Sequence, residues 1–311
     1  MRKVLSKYKS NMTAPILTAL VYLLLLLSRI IKITEMTGEN EYIGVIVLQL
    51  LIFLLPSVIY SKLKGDDYTP RLRLRPIGGQ QLLVSLLGAL ALICGALLLN
   101  ILIKNGGAED GFSLYNTFTA NHSGSAESFV FVTVAYAVVP AVCEEFFFRS
   151  VLCAEYEEYG IGTALAMSVL LFGMVHFDFS QLAVYMLAGI ILFMTFYATR
   201  SVLGSILVHF LYNMYGLFGQ SFANEVFSTT GSTELFMLLL FSAFLLFSAL
   251  FLGEAARLYR KYARLNLTSD YLPKKKNKRN RNSDGSAFAE SLLAPPALAC
   301  YLIFVLVALL L

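Results

Sequence analysis

The stretch AVCEEFFFRS, residues 141–150, sets two carboxylates and a guanidinium into an apolar run that approaches as FVFVTVAYAVVP. Glu145 and Arg149 stand four residues apart with the acid first, the favourable order for an ion pair on a helix. Glu144 projects about 100° away from Glu145 around the same helix, which makes it the poorer partner for Arg149 and the freer carboxylate. Pro140 removes the hydrogen bond to the Tyr136 carbonyl, so a kink is expected there, opening a small polar cavity above Glu144. A carboxylate kept among apolar side chains and not needed by a cation is a candidate for proton chemistry.

Two of the three histidines lie in apolar runs of the same half of the chain. In LFGMVHFDFS, Phe172 and His176 share a helix face; in LVHFLYNMYG, His209 and Asn213 do the same. The third, His122, is in a polar loop. Ionisable groups inside membrane spans are costly, face the bundle interior and are functional candidates by default. Glu144, Glu145, Arg149, His176, His209 and Asn213 therefore form a constellation. A polar network that only locks helices together is the competing reading. Locking needs no pair of histidines, however, and their titration near neutral pH suits proton transfer.

The elements that must position these residues are membrane helices. The chain has 311 residues, 58% hydrophobic and 14% charged, with a mean hydropathy of +0.70. That composition excludes an ordinary water-soluble globule and points to an all-α, polytopic transmembrane bundle. Nine segments approach the ~20 apolar residues a span requires: 13–31, 42–60, 80–103, 129–153, 161–177, 180–198, 202–218, 235–253 and 291–311. Eight spans are the alternative count. The first is read as a retained helix, because SRIIKITEMTG carries no small-residue cleavage pattern. Nearly all of the 24 lysines and arginines fall at alternate turns, including 61–79 and 254–290, while the opposite loops are acidic or neutral. The positive-inside rule then places the N-terminus inside and the C-terminus outside.

Residues 1–125 and 221–311 read as flanking helices around a polar core at 126–220. The insert 260–290 reads as a disordered linker, its KKKNKRNR run a topology determinant next to acidic lipid headgroups rather than a nucleic-acid site. The helix after Pro295 and Pro296 is expected to be peripheral. Cys94, Cys143, Cys153 and Cys300 have neither metal nor disulfide spacing and read as small hydrophobes. There is no repeat, phosphate loop or nucleotide motif. Short loops and the lack of a targeting signal point to a bacterial plasma membrane.

EEFFFR, FGMVH and HFLYN, in that order and each in an expected span, resemble the EExxxR, FxxxH and HxxxN motifs of the CPBP family of intramembrane proteases. That family includes type II CAAX prenyl endopeptidases and bacteriocin self-immunity and lysostaphin-resistance-like proteins. The resemblance covers about 140–215 and makes 126–220 a CPBP-type catalytic core. It implies a membrane-embedded peptide hydrolase in which Glu144 and His176 activate water and His209 and Asn213 hold the oxyanion. Glu145 and Arg149 would keep the site in shape, with Phe172 as support. The implied partners are membrane lipid and a peptide or protein substrate, lipidated in the CAAX case, with no nucleic acid. A zinc version would use His176, His209 and Glu144 as ligands. The absence of HExxH and the commitment of Glu145 to Arg149 favour a mechanism with no cofactor.

Depth is the difficulty with this assignment. A straight-helix picture separates His176 from Glu144 by ~10–15 Å along the membrane normal, so the HFDFS turn is expected to be buried in protein. A non-catalytic immunity protein that keeps the motif as a network, and a proton-coupled transporter, are the readings from other classes.

Overall fold

The computed structural model describes residues 9–31, 41–103, 126–265 and 284–310, and every regular element among them is helical. Helix α1 is Ser10–Ile31. Helix α2 runs Glu41–Gln49, a π turn at Leu50–Leu54, then Leu55–Lys64. A 3-10 segment, Asp66–Leu72, leads to α3, Gly79–Ile103. Helix α4 runs without a break from Ala126 to Tyr159 and contains π turns at Val134–Val138 and Phe146–Leu152. Then come α5 (Ile161–Met174), α6 (Leu182–Thr199), α7 (Val202–Phe218), α8 (Gln220–Thr230), α9 (Thr233–Arg264), α10 (Asp284–Leu292) and α11 (Pro295–Leu310).

Six of these are long and apolar enough to cross a bilayer. The number rises to eight if the pairs α7/α8, bent by 68°, and α10/α11, bent by 51°, each count as one span. Helix α5 has 14 residues, about 21 Å at 1.5 Å per residue, short of a ~30 Å hydrocarbon core. The protein is an integral membrane protein built as an all-helical bundle.

Pro140 is accommodated by a π turn. A proline ring collides with the carbonyl four residues back, but the π turn at Val134–Val138, closed by the Val139 N–H on the Val134 carbonyl, widens the helix where that carbonyl lies. The helix continues instead of breaking. Pro56 in α2 is handled the same way by the π turn at Leu50–Leu54. These two helices pack together, with Phe53 against Phe147 at 6.0 Å and Tyr42 against Tyr136 at 6.3 Å between ring centres.

Helix α3 lies against α6, α7 and α9. Its approach depends on glycines seven residues apart. A Cβ at Gly95 would come within 2.8 Å of Leu187 and of Phe244, and one at Gly88 within 3.1 Å of Thr195 and 3.2 Å of Phe251. Small residues that let helix backbones draw close are a main device of membrane packing.

Helix α11 lies at the edge of the bundle, as expected: one face, Ala297, Cys300 and Phe304, is buried against α1, with the Cys300 thiol donating to the Pro15 carbonyl at 3.3 Å, while Leu298, Leu302, Leu306 and Leu309 are exposed. The small residues of both helices permit that contact. The expected linker is shorter than 260–290, since 260–264 continue α9 and 284–290 form most of α10; residues 266–283, with all of KKKNKRNR, lie outside the described residues. The basic loop 61–79 does more than mark a side of the membrane. Lys64 pairs with Glu155 at 2.6 Å, Arg71 with Glu158 at 2.9 Å and Arg73 with Glu157 at 2.8 Å. Those acids belong to the extension of α4 beyond the expected span end at 153. The Val202 N–H on the Arg73 carbonyl ties the same loop to the start of α7.

Candidate functional site

Helix α4 supplies three of the site's charged groups from one turn. Glu145 and Arg149 are fully buried, and their side chains meet at 3.1 Å between Oε1 and Nη1. The same Glu145 oxygen lies 3.0 Å from Nδ1 of His209 on α7. Arg149 also donates from Nη2 to the Gly189 carbonyl of α6 at 3.3 Å. Its guanidinium lies 4.3 Å over the ring of Phe172 on α5, an attraction between cation and ring face that strengthens where water is excluded. One cation thus ties α4 to α5 and α6, and its glutamate ties α4 to α7.

Glu144 is turned away from this pair. It is 9% exposed, its Oε2 has no hydrogen-bond partner, and that atom stands 4.0 Å from His209 Nε2. This is close enough for charge attraction and too long for a direct hydrogen bond. His209 therefore addresses both glutamates, one with each ring nitrogen.

Phe172 joins the two histidines. Its ring is buried, 6.0 Å from His209 and 5.3 Å from His176 between ring centres. His176 Nδ1 faces the Phe172 carbonyl at 3.0 Å. A carbonyl can only accept, so Nδ1 carries the proton and Nε2 keeps its lone pair. The other side of the imidazole is covered by Tyr185 of α6, stacked at 3.8 Å and 11°.

Helix α5 is short, and its Phe172 is the link between His176 and His209. The turn after it is buried on one side only. Val175 and Phe177 are buried, His176 and Asp178 half-buried, and Phe179 and Ser180 exposed, where a turn buried in protein was expected. Its polar backbone is served from within: the Asp178 carboxylate accepts from the N–H groups of Ser180 at 2.8 Å and Gln181 at 3.2 Å. Phe177 has φ +53°, a left-handed conformation that costs a bulky residue ~1–2 kcal/mol. Its ring is held by an edge contact with Tyr22 of α1 at 5.2 Å, and Tyr22 also donates to the Leu171 carbonyl at 2.8 Å.

The structure thus brings Glu144, Glu145, Arg149, Phe172, His176 and His209 into one connected cluster. Asn213 sits one turn beyond His209 on α7, half-buried; among the described residues no hydrogen bond draws it into the cluster. Among the described residues no group of three His, Cys, Asp or Glu side chains is placed to hold one metal ion. Two contributors escaped the sequence reading. Tyr185 carries no motif. Gln49 of α2 has its side chain beside the Glu144 carboxylate, and its signal was visible as a lone amide inside an apolar span.

Residues 126–215 match the family model described as type II CAAX prenyl endopeptidase Rce1-like. The match starts at the first residue of α4 and ends in α7, taking in the whole cluster except Gln49 and Tyr22. No curated protein and no solved structure matches the chain.

Proposed function

The chain belongs, through its 126–215 core, to the CPBP family of intramembrane proteases, and from that premise we propose that it is an endopeptidase in which Glu144, with His176, activates water against a peptide bond. One observation carries this reading. Of two adjacent buried carboxylates, Glu145 holds Arg149 at 3.1 Å and His209 at 3.0 Å through its Oε1, while among the described residues Glu144 makes no ion pair closer than the 4.0 Å of its Oε2 to His209 Nε2.

In this mechanism Glu144 takes a proton from water as the water oxygen attacks the carbonyl carbon. His176 Nε2, its lone pair fixed by the Nδ1 contact with Phe172, orients the same water. The carbonyl oxygen becomes an oxyanion held by His209 Nε2 and the Asn213 amide. Fixed donors of this kind in a dry site are often the largest single contribution to catalysis. A His209 that donates from Nε2 while Nδ1 faces Glu145 must carry both protons. Charge counting supports that state: Glu144, Glu145, Arg149 and a His209 imidazolium sum to zero, the arrangement favoured where unpaired buried charge is expensive. The C–N bond then breaks, and Glu144 returns its proton to the leaving amine. A zinc mechanism would need Glu144 as a ligand, and with Glu145 already committed no carboxylate is left to serve as base. That counting supports a metal-free reaction.

The first substrate class to test is a polypeptide ending in a prenylated CAAX sequence, with unmodified peptides alongside. Purified protein in detergent is expected to cleave a member of such a quenched-fluorescence panel. Glu144→Ala and His176→Ala are each expected to abolish cleavage while leaving thermal unfolding within a few degrees of the parent, and a chelator is expected to leave the parent rate intact. Cleavage that survives either substitution sinks the mechanism.

A further inference from the structure

Helix α2 lies outside the part of the chain that matches the family, yet one of its side chains reaches the candidate base. Tyr42, Gln49 and Phe53 recur at intervals of seven and four residues, which places them on one helix face. The outer two of the three meet α4: Tyr42 lies 6.1 Å from Phe131 and 6.3 Å from Tyr136, and Phe53 lies 6.0 Å from Phe147 and 6.3 Å from Phe148. Gln49 is bracketed between these contacts, opposite the stretch of α4 that holds Glu144. Its side chain lies beside that carboxylate, and its own Oε1 is buried without a hydrogen-bond partner. The π turn that accommodates Pro56 begins at the next residue, Leu50.

A glutamine in an apolar helix must satisfy two donors and an acceptor. As a helix lock it would aim all of them at fixed protein groups. Here the side chain meets the residue proposed to do the chemistry, and its acceptor end is left open. We propose that Gln49 is a positioning residue for the hydrolysis, its amide N–H fixing one oxygen of Glu144 so that the unpartnered Oε2 faces the water. This inference rests on the reading of Glu144 as general base.

The role predicts a particular kinetic split. Gln49→Met keeps the side-chain length and removes the hydrogen bond, and Gln49→Ala removes both. Losing a hydrogen bond to a charged group that must be held in place is expected to lower kcat about tenfold to a hundredfold, with KM within twofold of the parent. Both are measured in detergent on whichever prenylated or unmodified quenched peptide the parent cleaves. Thermal unfolding of at least one variant is expected to match the parent. An unchanged kcat overturns the inference, as does a raised KM at constant kcat. Two variants that both fail to fold assign Gln49 a structural role and overturn it equally. Failure of the endopeptidase reading itself looks different: the parent cleaves nothing, or Glu144→Ala still cleaves.

Discussion

Arg149 is the largest fully buried side chain among the described residues, and its surroundings decide how the site can be broken. Its Nε and Nη1 lack hydrogen bonds of good geometry, so it is held mainly by the charge of Glu145, the Gly189 carbonyl and the Phe172 ring face. Removing one member of such a pair strands the other. Arg149→Met is therefore expected to cost about 3–5 kcal/mol of stability and to lower cleavage at least tenfold. Glu145→Gln combined with Arg149→Met is expected to recover part of the stability and none of the activity, because His209 then lacks its carboxylate. Thermal unfolding and peptide cleavage of the single and double variants test this, and equal destabilisation by both would deny the coupling. The pairing itself is local, set by four residues of spacing in one helix, and was open to reading in the sequence. So were the shared faces of Phe172 with His176 and of His209 with Asn213. The contacts of Gln49 and Tyr185 belong to other helices, and no spacing rule within one segment could have supplied them. The buried acids Glu155 and Glu157 escaped for another reason: the expected span stopped at 153, before the helix did.

At the scale of elements, proline and glycine set how the helices meet. Hydropathy located the long helices, since each apolar run became one, but it missed α8 and most of α10, which lie in stretches read as loop and linker, and it could not say how a proline would be absorbed or which run would stop short of a full span. Those outcomes depend on the neighbouring helix. Gly95 shows the point. Its seven-residue spacing from Gly88 is plain in the sequence, yet only the packed structure shows Leu187 and Phe244 waiting 2.8 Å from an added Cβ. Both contacts are tips or ring edges that can rotate aside, so Gly95→Ala is expected to cost no more than about 1 kcal/mol, whereas Gly95→Leu forces α3 away from α6 and α9 and is expected to cost about 2–3 kcal/mol. Because α6 also carries Tyr185 and the Gly189 carbonyl that Arg149 uses, the leucine variant is expected to lose cleavage more steeply than stability. A Gly95→Leu protein with parental unfolding temperature and rate would show that this close approach has no bearing on the site.

For the whole molecule, the first and last described helices close on one another around the turn that carries His176. Tyr22 of α1 holds the Leu171 carbonyl and the edge of Phe177. Phe304 of α11 lies 4.7 Å from Phe179 on the other side of the same turn. Tyr301 of α11 reaches Met167 on α5 at 3.7 Å. Glu144 is carried by a long helix that the buried Arg149 ties to α5 and α6, but His176 sits at the end of a short helix and next to a left-handed phenylalanine. Its position depends on residues far from it in sequence. Phe304 is 1% exposed, and Phe304→Ala is expected to cost about 3 kcal/mol through the cavity it leaves. The functional effect is expected to exceed that of an equally destabilising change at a site remote from the turn, such as Phe251→Ala between α3 and α9. Matching the two variants for unfolding temperature and comparing their cleavage rates isolates the effect of position. A several-fold lower rate for Phe304→Ala, repaired by Phe304→Leu, would establish that α11 supports the catalytic turn. Equal rates would leave α11 as packing alone.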